Sequence, residues 1–168
     1  MISFPIGKAR FNYRTAAVII HDGYVLLHRA VSDDFWALPG GRVEMLESSE
    51  AALARELGEE LGPTLHARVG RPLWIVENFF AFQGASHHEL GMYYLVTLGE
   101  LSAYLAKDRE YFGLEKDPGA QGVPIKLIFR WFPLSAVSQA HLYPSFLRTR
   151  LAELPASPEH LIHYDTDE

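Results

Sequence analysis

Residues 41–62 read GRVEMLESSEAALARELGEELG. Within them Glu56, Glu59 and Glu60 stand at i, i+3 and i+4, so on a helix they share one face, spread over roughly a 100° arc. Leu53, Leu57 and Leu61 form an apolar stripe beside it. Like charges at these spacings cost an isolated helix about 0.2–0.5 kcal/mol per pair. A helix that gathers acid this way has use for a cation, and an all-oxygen ligand set suits Mg²⁺ or Mn²⁺ rather than zinc. A solvated surface is the plainer account of three glutamates alone, and the material that weighs against it lies upstream.

Upstream, Trp36–Gly41 reads WALPGG, a glycine-ended turn that leads into the acidic segment. Paired glycines let backbone approach a ligand closely, and a backbone carbonyl there is available to join carboxylates around a metal. Ser48 or Ser49 is placed to cap the helix, and Glu50 sits in its first turn, where negative charge is favoured. Gly62 followed by Pro63 is a stop signal, so the spacing predicts a helix over about 49–61.

Gly41, Glu47, Arg55, Glu56, Leu57, Glu59, Glu60 and Gly62 together resemble the signature of the Nudix hydrolases: a glycine, five residues, a glutamate, seven residues, then Arg-Glu-aliphatic-any-Glu-Glu-any-Gly. The family's final aliphatic position is Pro63 here, which bears on the helix exit and not on the acidic face. Leu46 replaces a glycine that many members carry before the first glutamate. The resemblance implies an α/β/α sandwich with a mixed sheet and hydrolysis of a nucleoside diphosphate linked to another group, with water attacking phosphorus. It implies Glu56 and Glu60 as leading metal ligands, Glu59 as ligand or base, and the Gly40 carbonyl as a further ligand. Glu47 and Arg55 match the pair that locks loop to helix, and as an ordinary surface ion pair they would contribute only ~0–1 kcal/mol. Homodimers are common in the family. Some relatives are ligand-binding modules without catalysis, but these commonly lose signature glutamates, and all three are intact here.

Composition bounds the rest. The 168 residues suit one domain with a sizeable core, placed at 1–154, followed by an acidic tail at 155–168. A net charge of −6 argues against a nucleic-acid or anionic-membrane binder but leaves phosphate substrates open, because a bound divalent cation inverts the local field. With no cysteine, disulfides and thiolate metal sites are excluded. The N-terminal residues lack a secretory core and no apolar run approaches ~18 residues, so a cytoplasmic location is the default expectation.

Along the chain, 13–20 and 24–28 read as a hairpin about His21-Asp22-Gly23, and 29–35 as a loop. Strands are expected at 67–80, 91–98 and 125–132, with a turn at 83–86. A short helix is expected from Leu134 and a terminal helix over 144–154. The strand–helix–strand order points to the α/β class. Residues 104–122 are charged and glycine-containing, and are expected to begin as helix and continue as a loop or lid, or to be a tolerated insertion.

The general base is sought outside the signature as well as within it. Glu89, in His87-His88-Glu89-Leu90 at an expected strand start, is the first candidate, with Glu110 and Glu115 next. A zinc-protease reading of His88-Glu89 fails, because Met92 stands where the second histidine is required. Arg29 and Arg42 are candidates for phosphate oxygens, and Trp36 for stacking on a base. Glu77–Phe80 occupy the positions of the family's ADP-ribose and dinucleoside-polyphosphate markers, so neither marker is present. The pattern expected of coenzyme A hydrolases is also missing. The expected partner is therefore a small nucleotide diphosphate derivative of open identity.

Overall fold

A computed structural model describes residues 1–115 and 123–166. The strands are β1 (Ser3–Ile6), β2 (Ala9–His21), β3 (Tyr24–Ala30), β4 (Gly40–Arg42), β5 (Ala67–Phe82), β6 (Ala85–Leu98), β7 (Tyr111–Glu115), β8 (Ile125–Pro133) and β9 (Glu159–Tyr164). The helices are α1 (Ser49–Leu61) and the single turn α2 (Leu147–Arg150), with 3-10 segments at Pro63–Leu65 and Leu134–Gln139. The strands join in the order β7-β8-β3-β2-β6-β5-β9, with β1 and β4 also on β2. The β2–β6 and β5–β9 pairs are parallel and the others antiparallel, so the sheet is mixed and the protein is α/β.

Strand β2 explains why the core has two halves. Ala17 and Ile19 face one side and pack with Leu53, Leu57 and Leu61 of α1. Ala16 and Val18 face the other and pack with Val137, Leu147 and Leu151. A strand buried on both faces reads as a continuous apolar run, as residues 16–20 do. Among the described residues no helix is long and apolar enough to cross a membrane.

Several local expectations are corrected. Strand β3 runs on to Ala30, and Gly40–Arg42 is not a turn but a short strand paired with Arg14–Ala16 of β2. Strand β6 begins at Ala85, which places Glu89 well inside it: the long β5–β6 hairpin pairs Phe82 with Ala85 and Phe79 with His88, beyond the reach of residue propensity. Residues 104–110 form no helix, and 111–115 are a strand, because β8 offers a free edge to pair with. The remainder of the expected lid, 116–122, lies outside the described residues. The terminal helix shrinks to one turn with no side-chain cap at its start. The expected acidic tail instead supplies β9, with Glu159, Leu161 and His163 alternating inward against exposed His160, Ile162 and Tyr164.

Candidate active site

Helix α1 starts where Ser48 Oγ accepts the Ala51 N–H at 3.1 Å and ends at Gly62, whose N–H reaches the Gly58 carbonyl. Packing Leu53, Leu57 and Leu61 against the sheet turns Glu56 and Glu60 inward at its edge, leaving them 7% and 5% exposed. Glu115, at the end of β7, brings a third carboxylate: one oxygen from each of Glu56, Glu60 and Glu115 lies within 4.8 Å of the others.

Two glycines make this convergence sterically feasible. A Cβ on Gly41 would stand 2.2 Å from Glu56 Cδ and 2.5 Å from both its oxygens. A Cβ on Gly113 would stand 2.4 Å from the Glu60 carbonyl oxygen, so only glycine lets β7 cross the end of α1 and deliver Glu115 two residues later. Gly40 stands beside Gly41 in β4.

Glu56 and Glu60 differ in how their charge is met. Glu56 accepts one hydrogen bond from Arg55 Nη1 at 2.9 Å; burial pushes its pKa up and Arg55 pulls it back. Both oxygens of Glu60 are buried without a hydrogen-bond partner, and burial, then the charges of Glu115 and Glu56, hold its pKa well above the carboxylate range. His28 offers no counter-charge. Its Nδ1 is 3.9 Å from Glu60 Oε2, but burial and then Arg14 hold its pKa down at about 3, so the ring is neutral. His28 Nδ1 and Thr15 Oγ1 are themselves buried without partners. Buried polar atoms are normally satisfied, and a cluster of orphans calls for an explanation. Three converging carboxylates with orphaned oxygens fit a hard divalent cation, whose preferred donors are carboxylate and carbonyl oxygens.

Around this group the signature pair is formed. Arg55 Nε and Nη2 each donate to Glu47 at 2.9 Å, a bidentate contact that holds Glu47 below and Arg55 above their usual pKa ranges. Arg55 Nη2 also reaches the Arg42 carbonyl at 3.2 Å, tying β4 to α1. Glu59 is outside the three-carboxylate group: its side chain is 35% exposed and its Oε1 lies 3.9 Å from Arg55 Nη1. It lines a cleft of about 570 Å³ together with Glu56, Glu115, Gly41, Arg14 and Arg42.

Other sequence candidates go elsewhere. Arg29 donates to the carbonyls of Asp33, Ala30 and Val31 and lies 5.2 Å from the Trp36 ring, with Arg130 at 5.4 Å from the same ring. Neither Arg29 nor Trp36 lines the acidic cleft, whereas Arg42 does. Glu110 pairs with Arg130. Glu89 has Arg14, Arg42 and Asp165 as its charged neighbours and none of the signature glutamates. Arg14, Thr15 and His28 carried no signal in the sequence beyond lying in or beside apolar strand segments.

Sheet, helix and cleft together define an α/β protein built around a cation-fitted acidic groove. The model of the NUDIX domain matches residues 11–153, and the chain belongs to that family. It is similar to the CTP pyrophosphohydrolase of Escherichia coli (strain K12), with 49% identity over 59 residues; the match spans 33% of this chain and 42% of that relative. Among solved structures it resembles a UDP-X diphosphatase (TM-score 0.57, 18% identity, 89% of this chain and 66% of that one). It also resembles a MutT protein from Bacillus halodurans (0.56, 16%, 92% and 91%) and an ADP-ribose pyrophosphatase from Streptococcus suis (0.53, 17%, 92% and 98%). At these identities the structural likenesses establish the fold.

Proposed function

We propose that this protein is a metal-dependent pyrophosphohydrolase that cleaves a pyrophosphate bond in a nucleoside diphosphate linked to another moiety, as in a nucleoside triphosphate or nucleotide-sugar. The observation that carries the reading is Glu60: a carboxylate with both oxygens buried and orphaned, facing Glu56 and Glu115, stays ionised only with a positive partner beside it. Glu56, Glu60 and Glu115 are the holding residues, the Gly40 carbonyl is an added donor, and Mg²⁺ or Mn²⁺ is the cation. When bound, such an ion supplies neutralisation of phosphate oxygens and a more acidic water.

The protein's own groups divide the remaining work. Arg14 and Arg42, on the wall of the cleft, bind and orient phosphate oxygens. Glu59 is the signature carboxylate left part-exposed and outside the buried group, which suits it to take a proton from the attacking water at one of its Oε atoms. Arg55 restrains Glu56 and Glu47, so the loop and helix keep their spacing during turnover. The match to a CTP pyrophosphohydrolase supports a nucleoside triphosphate as the first substrate to try.

A panel of nucleoside triphosphates and nucleotide-sugars with Mg²⁺ or Mn²⁺, scored for phosphate and pyrophosphate release, tests this. Turnover that disappears with EDTA and in Glu60→Gln is expected. Absence of turnover across the panel, or full activity in Glu60→Gln, would sink the proposal.

A further inference from the structure

Beside the carboxylate group one buried side chain is still without a role. His28 on β3 is 7% exposed, and its Nδ1 is sealed from solvent with no hydrogen-bond partner among the described residues. Glu60 Oε2, equally sealed and unpartnered, lies 3.9 Å from it. Buried polar atoms are normally satisfied, so two of them left open side by side point to a bond made when the site is filled.

The ring is held in place, whereas the carboxylate is free to move toward it. His28 N–H donates to the Ala37 carbonyl and the His28 carbonyl accepts from Ala37 N–H, both at 2.8 Å, which ties β3 to the WALPGG segment. On its other side His28 pairs with Phe129 of β8, and the two ring centroids are 5.4 Å apart. Glu60 stands in the last turn of α1, and no hydrogen bond restrains its side chain. Bringing the two atoms to an ordinary N–H···O length takes about 1 Å, a distance that rotation within a glutamate side chain supplies.

The chemistry of the ring sets the direction of the bond. A neutral imidazole carries one N–H, and the nitrogen that holds it is decided by the bonds each can make. With the proton on Nε2, the Nδ1 lone pair would face the lone pairs of the carboxylate in the interior. With the proton on Nδ1, Glu60 gains a donor, and Nε2, which is not sealed off in the same way, keeps its lone pair for water. A neutral donor also suits a cation site, because it satisfies an anionic oxygen without adding a positive charge that would repel the ion.

We propose that His28 is a positioning residue for Glu60: its Nδ1–H donates to Glu60 Oε2 when Glu60 holds the cation, and so fixes the orientation of that carboxylate. This rests on the cation reading above. Carboxylates that hold metals are themselves hydrogen-bonded, and the loss of such an outer partner typically costs roughly 10–100-fold in metal affinity.

The experiment measures Mn²⁺ binding to the full chain without substrate, from the EPR signal of the free ion. His28→Leu, similar in volume but without a donor, is expected to weaken binding by roughly 10–100-fold. His28→Asn, whose Nδ2 stands close to the place of Nδ1, is expected to recover most of that loss. Unchanged affinity in His28→Leu, or an equal loss in both variants, overturns the assignment and leaves the cation reading intact. No Mn²⁺ binding in the wild type overturns the cation reading and this inference with it. A second measurement needs no variant: in the Mg²⁺-saturated wild type, long-range ¹H–¹⁵N spectra of the imidazole should show His28 protonated at Nδ1. Protonation at Nε2 instead overturns the assignment.

Discussion

Glu60 and Asp165 are both buried carboxylates at the margin of one sheet, and their surroundings are opposite. Asp165 accepts from the Ser145 N–H at 2.9 Å, the Ser145 hydroxyl, His163 Nε2 at 2.9 Å and Asn78 Nδ2 at 3.2 Å. Burial alone would raise its pKa, but hydrogen bonds led by Ser145 hold it below the usual range. Glu60 has no hydrogen bond, and its pKa moves the other way. The first arrangement is complete within the chain and fastens the end of β9 to the core. The second is complete only with something added, which is how a binding site differs from a structural contact made of the same chemical group.

The strongest way to break this contrast is Glu60→Gln. Removing a ligand of the proposed cation forfeits several kcal/mol of transition-state stabilisation, so kcat/KM should fall by roughly 10³-fold. Metal-free stability should stay at or above that of the wild type, since the substitution removes a desolvated acid without costing it any hydrogen bond. Chemical denaturation in EDTA checks this, and a loss beyond about 1 kcal/mol would show that Glu60 is structural after all.

Asp165→Ala should do the reverse. Stripping the acceptor from several buried donors costs about 2–3 kcal/mol. The folded fraction should keep its metal-dependent turnover, because Asp165 is outside the carboxylate group. A variant of wild-type stability would mean that the strand is held by pairing with β5 alone.

Much of the fold was legible before the structure, and the failures have a common cause. The span of α1 was readable because caps, apolar stripe and stop signal are all local to residues 48–63. The grouping of Glu115 with Glu56 and Glu60 was not: it depends on β7 pairing with β8 and on Gly113 passing the end of α1, neither of which leaves a periodic trace in YFGLE. Strand β9 was obscured in the same way, its alternating Leu161 and His163 hidden by an acidic composition that reads as tail. Glu89 was recognisable as a chemical group, but its place well inside β6 is a matter of register, which residue types alone do not set.

A smaller effect separates the two carboxylates through the metal itself. A ligand that binds only the folded state stabilises it by RT ln(1 + [L]/Kd), about 2.7 kcal/mol at a hundredfold excess over Kd. Mg²⁺ or Mn²⁺ should therefore raise the unfolding midpoint of the wild type and of Asp165→Ala alike, and should lose most of that effect in Glu60→Gln. Equal metal stabilisation in all three would place the cation away from Glu60.

The last expectation concerns acid. The folded-state pKa of Asp165 lies below its ordinary value of 3.8, so the folded protein binds fewer protons here than the unfolded chain does as pH falls toward that value. Its contribution to stability is therefore complete above the unfolded pKa and disappears as pH falls through the folded one. The stability difference between wild type and Asp165→Asn, measured by denaturation in one buffer series, should be constant from neutral pH to about pH 5 and shrink below about pH 4. Because both proteins share every other carboxylate, the acid response of the cleft cancels in the difference. A difference that stays flat to pH 2 would mean that hydrogen bonding at Asp165 does not discriminate the charged form, and the contrast with Glu60 would then rest on geometry alone.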